Sequence, residues 1–461
     1  MERTKAKYDL PKRVLLLLLV LWVAITFFLG IKIGFGGAIV SIVIIPLALI
    51  FNKFPLAIIA AGVFGGTNFF RIFTYLAHIE TAYVLYSLII VAIIGGCAIL
   101  FIKNRRAYYN VGLPEVLLSL IFLIVFLGLF HSENLDYGIL KTGLFFIDVL
   151  IPFIMIQVFR YNAHLIKRLF KVGLLFMVPA TLASVVSLIL GGASQWTRFT
   201  FAGAGPVGFA TGMGLAVLLA LLQVENSDST LERISVFVFA IFSLLVLVTA
   251  ATRGPVLFLL FAYSIHMLFF SNLSKSKRIV VFLSVFATLA FFATKVSSFL
   301  VYRLVALQGV EMSAVGRTML WKTSILHLFD APIFGLGTGS FNSILFSGGK
   351  ASDLIYPHNI FLEYYLELGI VGLSIFIAFL ITITIRAWKA LKDPFLSKLQ
   401  KTMLQNSIIL AIYALSGAMV SGDFTNRYAY IFPGLVLALS YVNHAQKEKD
   451  AYRDGSIGSS A

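Results

Sequence analysis

Apolar runs of about twenty residues follow one another along almost the whole chain, and lysine and arginine stand mainly in the short stretches between them. A run of roughly 20 mainly apolar residues is long enough to cross the hydrocarbon core of a bilayer as a helix. Lipid offers the backbone no hydrogen-bond partner, so each such run must satisfy its own N–H and C=O groups, and a helix does this within one segment. The runs fall near 14–30, 34–51, 54–70, 82–102, 113–130, 139–159, 172–190, 205–223, 233–250, 254–270, 279–294, 360–386, 403–420 and 428–443. The predicted fold is therefore an all-α, polytopic membrane helical bundle with about 12–14 transmembrane helices. Pro46, Pro55 and the Gly65-Gly66 pair make a re-entrant segment the alternative within 34–70. Charged residues make up only 12% of the chain, against roughly 25% in soluble domains, which excludes a large soluble catalytic domain.

The net charge of +16 follows the same architecture. In the fourteen-span arrangement 25 of the 36 lysines and arginines fall on one side, and they form every strongly basic loop. The positive-inside bias makes that side cytoplasmic and puts both termini there. Basic residues confined to short loops fit an anionic leaflet rather than nucleic acid. The single cysteine, Cys97, lies within an apolar run, so neither an intrachain disulfide nor a cysteine metal cluster is available. Met1–Arg13 is basic and Val14–Gly30 is long enough to stay as the first span, so no cleavable leader is expected.

One outer segment is far longer than the rest: Lys295–Pro357, roughly 60 residues, of a length that usually carries function. Its apolar residues, among them Leu320, Trp321 and Leu328, predict short helices on the outer membrane face or capping the bundle, with an amphipathic helix over Arg317–Phe329. The expected organisation is N-terminal helices over 1–190, helices carrying outer arginines over 191–294, the outer loop over 295–357, C-terminal helices over 358–443 and a tail over 444–461. The inner loops and tail are expected to be solvated connectors, and no internal repeat supports a transporter built from duplicated halves.

No P-loop, dinucleotide fingerprint or HExxH is present, and the seven histidines are scattered. The outer ends of the spans instead carry arginines suited to an anion. Arg198 precedes the glycine-rich stretch 203–214. Arg253 sits in the tight turn Thr252-Arg253-Gly254-Pro255. Arg317 opens the loop helix with Trp321 one turn on, and Arg427 shares a hairpin end with Asp423. An arginine at membrane level requires a partner or a polar cavity. His358, in Tyr356-Pro357-His358-Asn359, stands at a helix start, where the positive helix end favours the neutral imidazole that accepts a proton. Glu363 and Glu367 lie i, i+4 on one helix face inside a span, and an outer arginine is the expected partner of Glu363. Asp148, within a span, is the residue that a proton-coupled transporter would use, and a bond to a neighbouring hydroxyl is its commoner explanation.

From about Arg198 to Gly372 the chain resembles the O-antigen ligase and O-antigen polymerase superfamily of integral-membrane glycosyltransferases. The resemblance is carried by the arginine before a glycine-rich span, the Thr-Arg-Gly turn at Arg253, and the Gly-Arg…Trp element at Arg317 and Trp321. It continues through Pro332-Ile-Phe-Gly-Leu-Gly-Thr-Gly339 and, above all, His358-Asn359 followed by Gly369-Ile-Val-Gly372. It implies a donor glycan on undecaprenyl pyrophosphate at the periplasmic face of a bacterial inner membrane. The acceptor is either another lipid-linked repeat unit or the lipid A–core, and no metal or nucleotide cofactor is used. It also implies that Arg198, Arg253 and Arg317 hold and neutralise the pyrophosphate and that His358 is the base on the acceptor hydroxyl. Arg427, Glu363, Tyr356 and Trp321 are the remaining candidate substrate-binding residues, with Tyr356, Trp321 and Tyr364 as sugar- or lipid-facing surfaces. The wording Gly203-Ala-Gly-Pro206 and Thr252-Arg-Gly-Pro255 leans towards polymerases, with the ligase as the alternative. A transporter sharing the fold is the reading of a different class.

Overall fold

The computed structural model describes residues 54–65, 82–103, 111–190, 199–200, 205–227, 229–271, 273–296, 312–345 and 356–441. The predicted runs 14–30 and 34–51, the tail 444–461 and Arg198 lie outside the described residues. Among the described residues the regular structure is helical, with no strand. A short helix α1 (Pro55–Ala60) continues as a π turn to Gly65 and is followed by α2 (Ala82–Lys103). Next come α3 (Leu113–His131), α4 (Leu135–Phe159), α5 (Ala163–Ile189), α6 (Pro206–Glu225), α7 (Thr230–Thr249) and α8 (Arg253–Phe270). The remaining elements are α9 (Lys275–Val296), α10 (Met312–Leu326), the short α11 (Phe341–Leu345), α12 (Ile360–Lys392), α13 (Lys398–Ser421) and α14 (Tyr428–Leu439). Eight of them, α3 to α8 with α12 and α13, are long and apolar enough to cross a membrane. The protein is thus a polytopic helical bundle.

Two helices form its centre. α14 is apolar all round and nearly every residue in it is buried, and α6 is close to that state. An all-round apolar helix belongs inside a bundle rather than at its margin. α14 packs on α13, α12 and α4, and α12 packs on α3. α8 runs beside α13 in the opposite direction, with Gly417 of α13 against Phe258 of α8. This pairing brings the Arg253 turn and the Ser421 end of α13 to the same end of the bundle.

At the opposite end, Arg160 is a correction to the expectation of solvated inner connectors. It is buried, ion-paired with Glu115, and stacked 4.0 Å from the ring centroid of Tyr441. A buried charge needs such a partner.

The outer segment also departs from prediction. It contains the helix α10, shifted from the expected Arg317–Phe329 to Met312–Leu326. The residues after it do not all lie on the surface: 332–340 form a hook inserted between α3, α4 and α12. The hook and α12 complete each other. α12 is interrupted at Gly369, whose φ of +67° breaks the helical ladder. The carbonyls of Leu366 and Glu367 accept from the N–H groups of Leu336 (2.9 Å) and Gly337 (3.0 Å), and the N–H groups of Ile370 and Val371 donate to Pro332 (2.9 Å) and Ile333 (3.3 Å). A helix break at membrane depth requires such replacement bonds from protein. On its other side the hook is bonded to α3 and the α3–α4 turn. The Thr338 N–H donates to Gly128 O and its hydroxyl to Val125 O, while the Ser132 hydroxyl donates to Thr338 O (2.7 Å). The two glycine motifs of the sequence, 335–339 and 369–372, are therefore two halves of one joint.

α12 begins at Asn359, whose Oδ1 accepts from the N–H groups of Phe361 (3.0 Å) and Leu362 (3.2 Å). The asparagine after His358 thus fixes where the helix starts. Asn359→Ala is expected to lower stability by about 1 kcal/mol, read as a lower midpoint of thermal unfolding in detergent, with Asn359→Asp close to the parent. Equal midpoints for Asn359→Ala and the parent would show that the cap carries no stability.

Candidate active site

The residue just before the cap has a backbone that the sequence did not announce. His358 has φ +56°, a left-handed conformation that is sparse for residues other than glycine and costs of order 1–3 kcal/mol. Strain of this kind survives only where the surroundings over-determine it. The imidazole is half-buried, its ring centroid lies 4.3 Å from that of Tyr356, and its Nδ1 is buried without a hydrogen-bond partner in the protein. Burial and the nearby Arg317 charge push its pKa below the usual histidine value, while the Ser421 backbone and Asp423 pull it up. The expected neutral imidazole is thus favoured chiefly by burial and an arginine. Arg317 and Trp321 lie one turn apart on α10, which packs on α12, and the Trp321 Nε1 is likewise buried without a partner in the protein. The structure therefore brings His358, Tyr356, Arg317 and the 421–427 loop together.

Arg253 is the first residue of α8, half-buried, in a turn where Ala251 also has a left-handed backbone (φ +47°). It stands at the same end of the bundle as Ser421. Arg427 is buried and reaches Asp148 at 3.8 Å. That replaces the hydroxyl partner expected for Asp148 and ties this intramembrane carboxylate to the last hairpin. Asp423 bonds the Thr425 hydroxyl at 2.9 Å and the Thr425 N–H at 3.2 Å, shaping the hairpin turn.

Glu363 requires a correction. Its partner is not an outer arginine but Lys141 of α4, which lies 2.5 Å away and is also 2.8 Å from both oxygens of Glu367. Lys141 is 1% exposed and both glutamates 0%. Glu363 Oε2 accepts the Phe424 N–H at 2.7 Å, and Glu367 Oε2 accepts the Gly339 N–H at 2.9 Å. With no exposed surface, Glu363 has no direct route to a substrate and stands behind the site. Tyr364 is corrected in the same way. It is buried, stacked on Phe376 at 4.3 Å and bonded to the Tyr430 hydroxyl, which donates in turn to the Phe424 carbonyl. Phe424 is thus held by both its N–H and its C=O.

Lys141 is the residue that sequence reasoning missed. Its signal was present: a lone lysine in an apolar run, and two glutamates i, i+4 at the same end of another span, each in need of an opposite charge.

Residues 238–377 match the family model described as O-antigen ligase. The match covers Arg253, Arg317, the hook, His358 and the break at Gly369. No curated protein matches the chain.

Proposed function

We propose that this chain, whose residues 238–377 match the family described as O-antigen ligase, transfers a glycan from undecaprenyl pyrophosphate to an acceptor sugar hydroxyl at the outer face of a bacterial inner membrane. The observation that carries the reading is His358: a half-buried imidazole on a left-handed backbone, with a partnerless Nδ1 and beside Arg317. In the step, the acceptor oxygen attacks the anomeric carbon while the bond from that carbon to the pyrophosphate oxygen breaks. The electron pair leaves on the pyrophosphate, and the acceptor proton passes to the His358 imidazole. Attack opposite the leaving group inverts the anomeric centre. Arg317, Arg253 and Arg198 neutralise the departing charge. Arg427, ion-paired with Asp148, and the rings of Tyr356 and Trp321 form the walls against which the glycan lies.

Repeat-unit polymerisation is the first form of this reaction, supported by the wording around Gly205 and Arg253. Ligation to the lipid A–core is the second, favoured by the description of the matching family. Purified protein given an undecaprenyl-pyrophosphate oligosaccharide, with and without lipid A–core, separates them on a gel. A ladder from donor alone is expected for a polymerase, and a single shift that requires core for a ligase. Absence of product from either mixture, across several donor glycans, rejects glycan transfer.

A further inference from the structure

We propose that Lys141 is a positioning residue that locks the 332–340 hook and the 421–427 loop into one frame around His358. The proposal rests on the glycan-transfer reading for its kinetic test alone.

Three segments far apart in the chain meet at this one ammonium group. Lys141 comes from α4, and its two carboxylate partners come from the first turns of α12, directly after His358. Each carboxylate then reaches a different backbone: Glu363 takes the N–H of Phe424, and Glu367 takes the N–H of Gly339. The lysine also lies 4.2 Å from the Phe424 ring centroid. A planar carboxylate has enough lone pairs to serve an ammonium and an amide together. Because one cation holds both carboxylates, the orientation of one is coupled to the other, and so is the placement of the two backbones. Phe424 neighbours Asp423 and lies three residues from Arg427, and the hook closes the break in the helix that His358 heads. A lysine that merely neutralised charge would need one carboxylate. Two are present, each with an oxygen committed to a separate segment.

Removing one partner from such a buried group is strongly unfavourable, so Lys141→Met alone would be confounded by poor folding. The test therefore includes Lys141→Met combined with Glu363→Gln and Glu367→Gln, where no charge is buried and each glutamine oxygen still accepts its backbone N–H. Hydrogen exchange of the full-length protein in detergent is read on peptides covering 332–340 and 421–427, beside kcat and KM for the lipid-linked donor. The triple variant is expected to fold, to exchange faster in both peptides together, and to lose roughly 10²-fold in kcat with KM unchanged, as expected for misplaced reacting groups. A triple variant with parental kcat, or faster exchange in only one of the two peptides, would overturn the proposal. If the parent itself shows no transfer, the proposed function fails, and the paired exchange response still decides whether Lys141 forms the frame.

Discussion

His358→Ala is expected to lower kcat for glycan transfer by roughly 10²–10⁴-fold, the usual contribution of a positioned base, while the protein folds and still binds the lipid-linked donor. The side chain is half-buried and its Nδ1 has no partner in the protein, so its loss gives up a single hydrogen bond, to the Ser421 backbone. The parent's pH profile carries a second signature. Burial and Arg317 lower the His358 pKa, so the neutral, proton-accepting form persists to lower pH than for an ordinary histidine. Activity should rise with pH along a limb centred below 6.5 and be flat through neutrality. Arg317→Ala removes one of the two causes and should move that limb upward, on whatever activity remains. A limb centred above 6.5 in the parent would contradict the electrostatics of the site. Asp148→Asn is the counter-test, because a transporter would depend on that carboxylate. If it abolishes function while His358→Ala leaves transfer intact, the enzyme reading is wrong.

Gly369→Ala and Gly335→Ala are each expected to cost roughly 2–6 kcal/mol, about half from the left-handed backbone and half from overpacking. A Cβ on Gly369 would lie 2.2 Å from the Ile333 carbonyl oxygen, and one on Gly335 would lie 2.3 Å from the Glu367 carbonyl carbon. Both obstacles are backbone, so neither can rotate away. Both positions also have positive φ, +67° and +74°, so even a methyl group that found room would be strained. Gly316→Ala is the control. It lies within α10 with no atom within 4 Å of the added Cβ, and a helical alanine should gain roughly 0.5–1 kcal/mol over glycine. Thermal unfolding in detergent should separate the three variants. An unchanged midpoint for Gly369→Ala would mean that the hook and α12 are not joined as described.

The helices were legible because the bilayer imposes one rule on each run separately: about twenty apolar residues, with charges at the ends. Run boundaries from 113 onward agree with the helices to within four residues, except where α5 starts at Ala163 rather than 172, α12 ends at Lys392 rather than 386 and α13 starts at Lys398 rather than 403. The hook was not legible, because it is a pairing of backbone with backbone across 30 residues, and no side-chain pattern records it. Its glycines were visible only as a motif. Glu363 was assigned the wrong partner for a related reason. The arginines at the span ends are the evident cations in the sequence, whereas Lys141 stands alone within an apolar run with nothing beside it to mark its partners. The position of His358 beside a helix start was readable from Pro357 and Asn359, whereas its left-handed backbone depends on tertiary packing. The arginines divide similarly: Arg317 lies beside His358, Arg253 shares only its end of the bundle, and Arg198 lies outside the described residues.

The joint at Gly369 has a consequence for how such a chain can diversify. The hook returns to the helix that His358 heads, so the chain is anchored twice on the same rod, once at the Gly369 break and once at the Asn359 start. The entropic cost of closing a connection between two such anchorages grows only slowly with its length, about 0.6 kcal/mol for each doubling, and the anchorages stay where they were. A change of length between the two anchorages therefore leaves the imidazole at the address set by the helix.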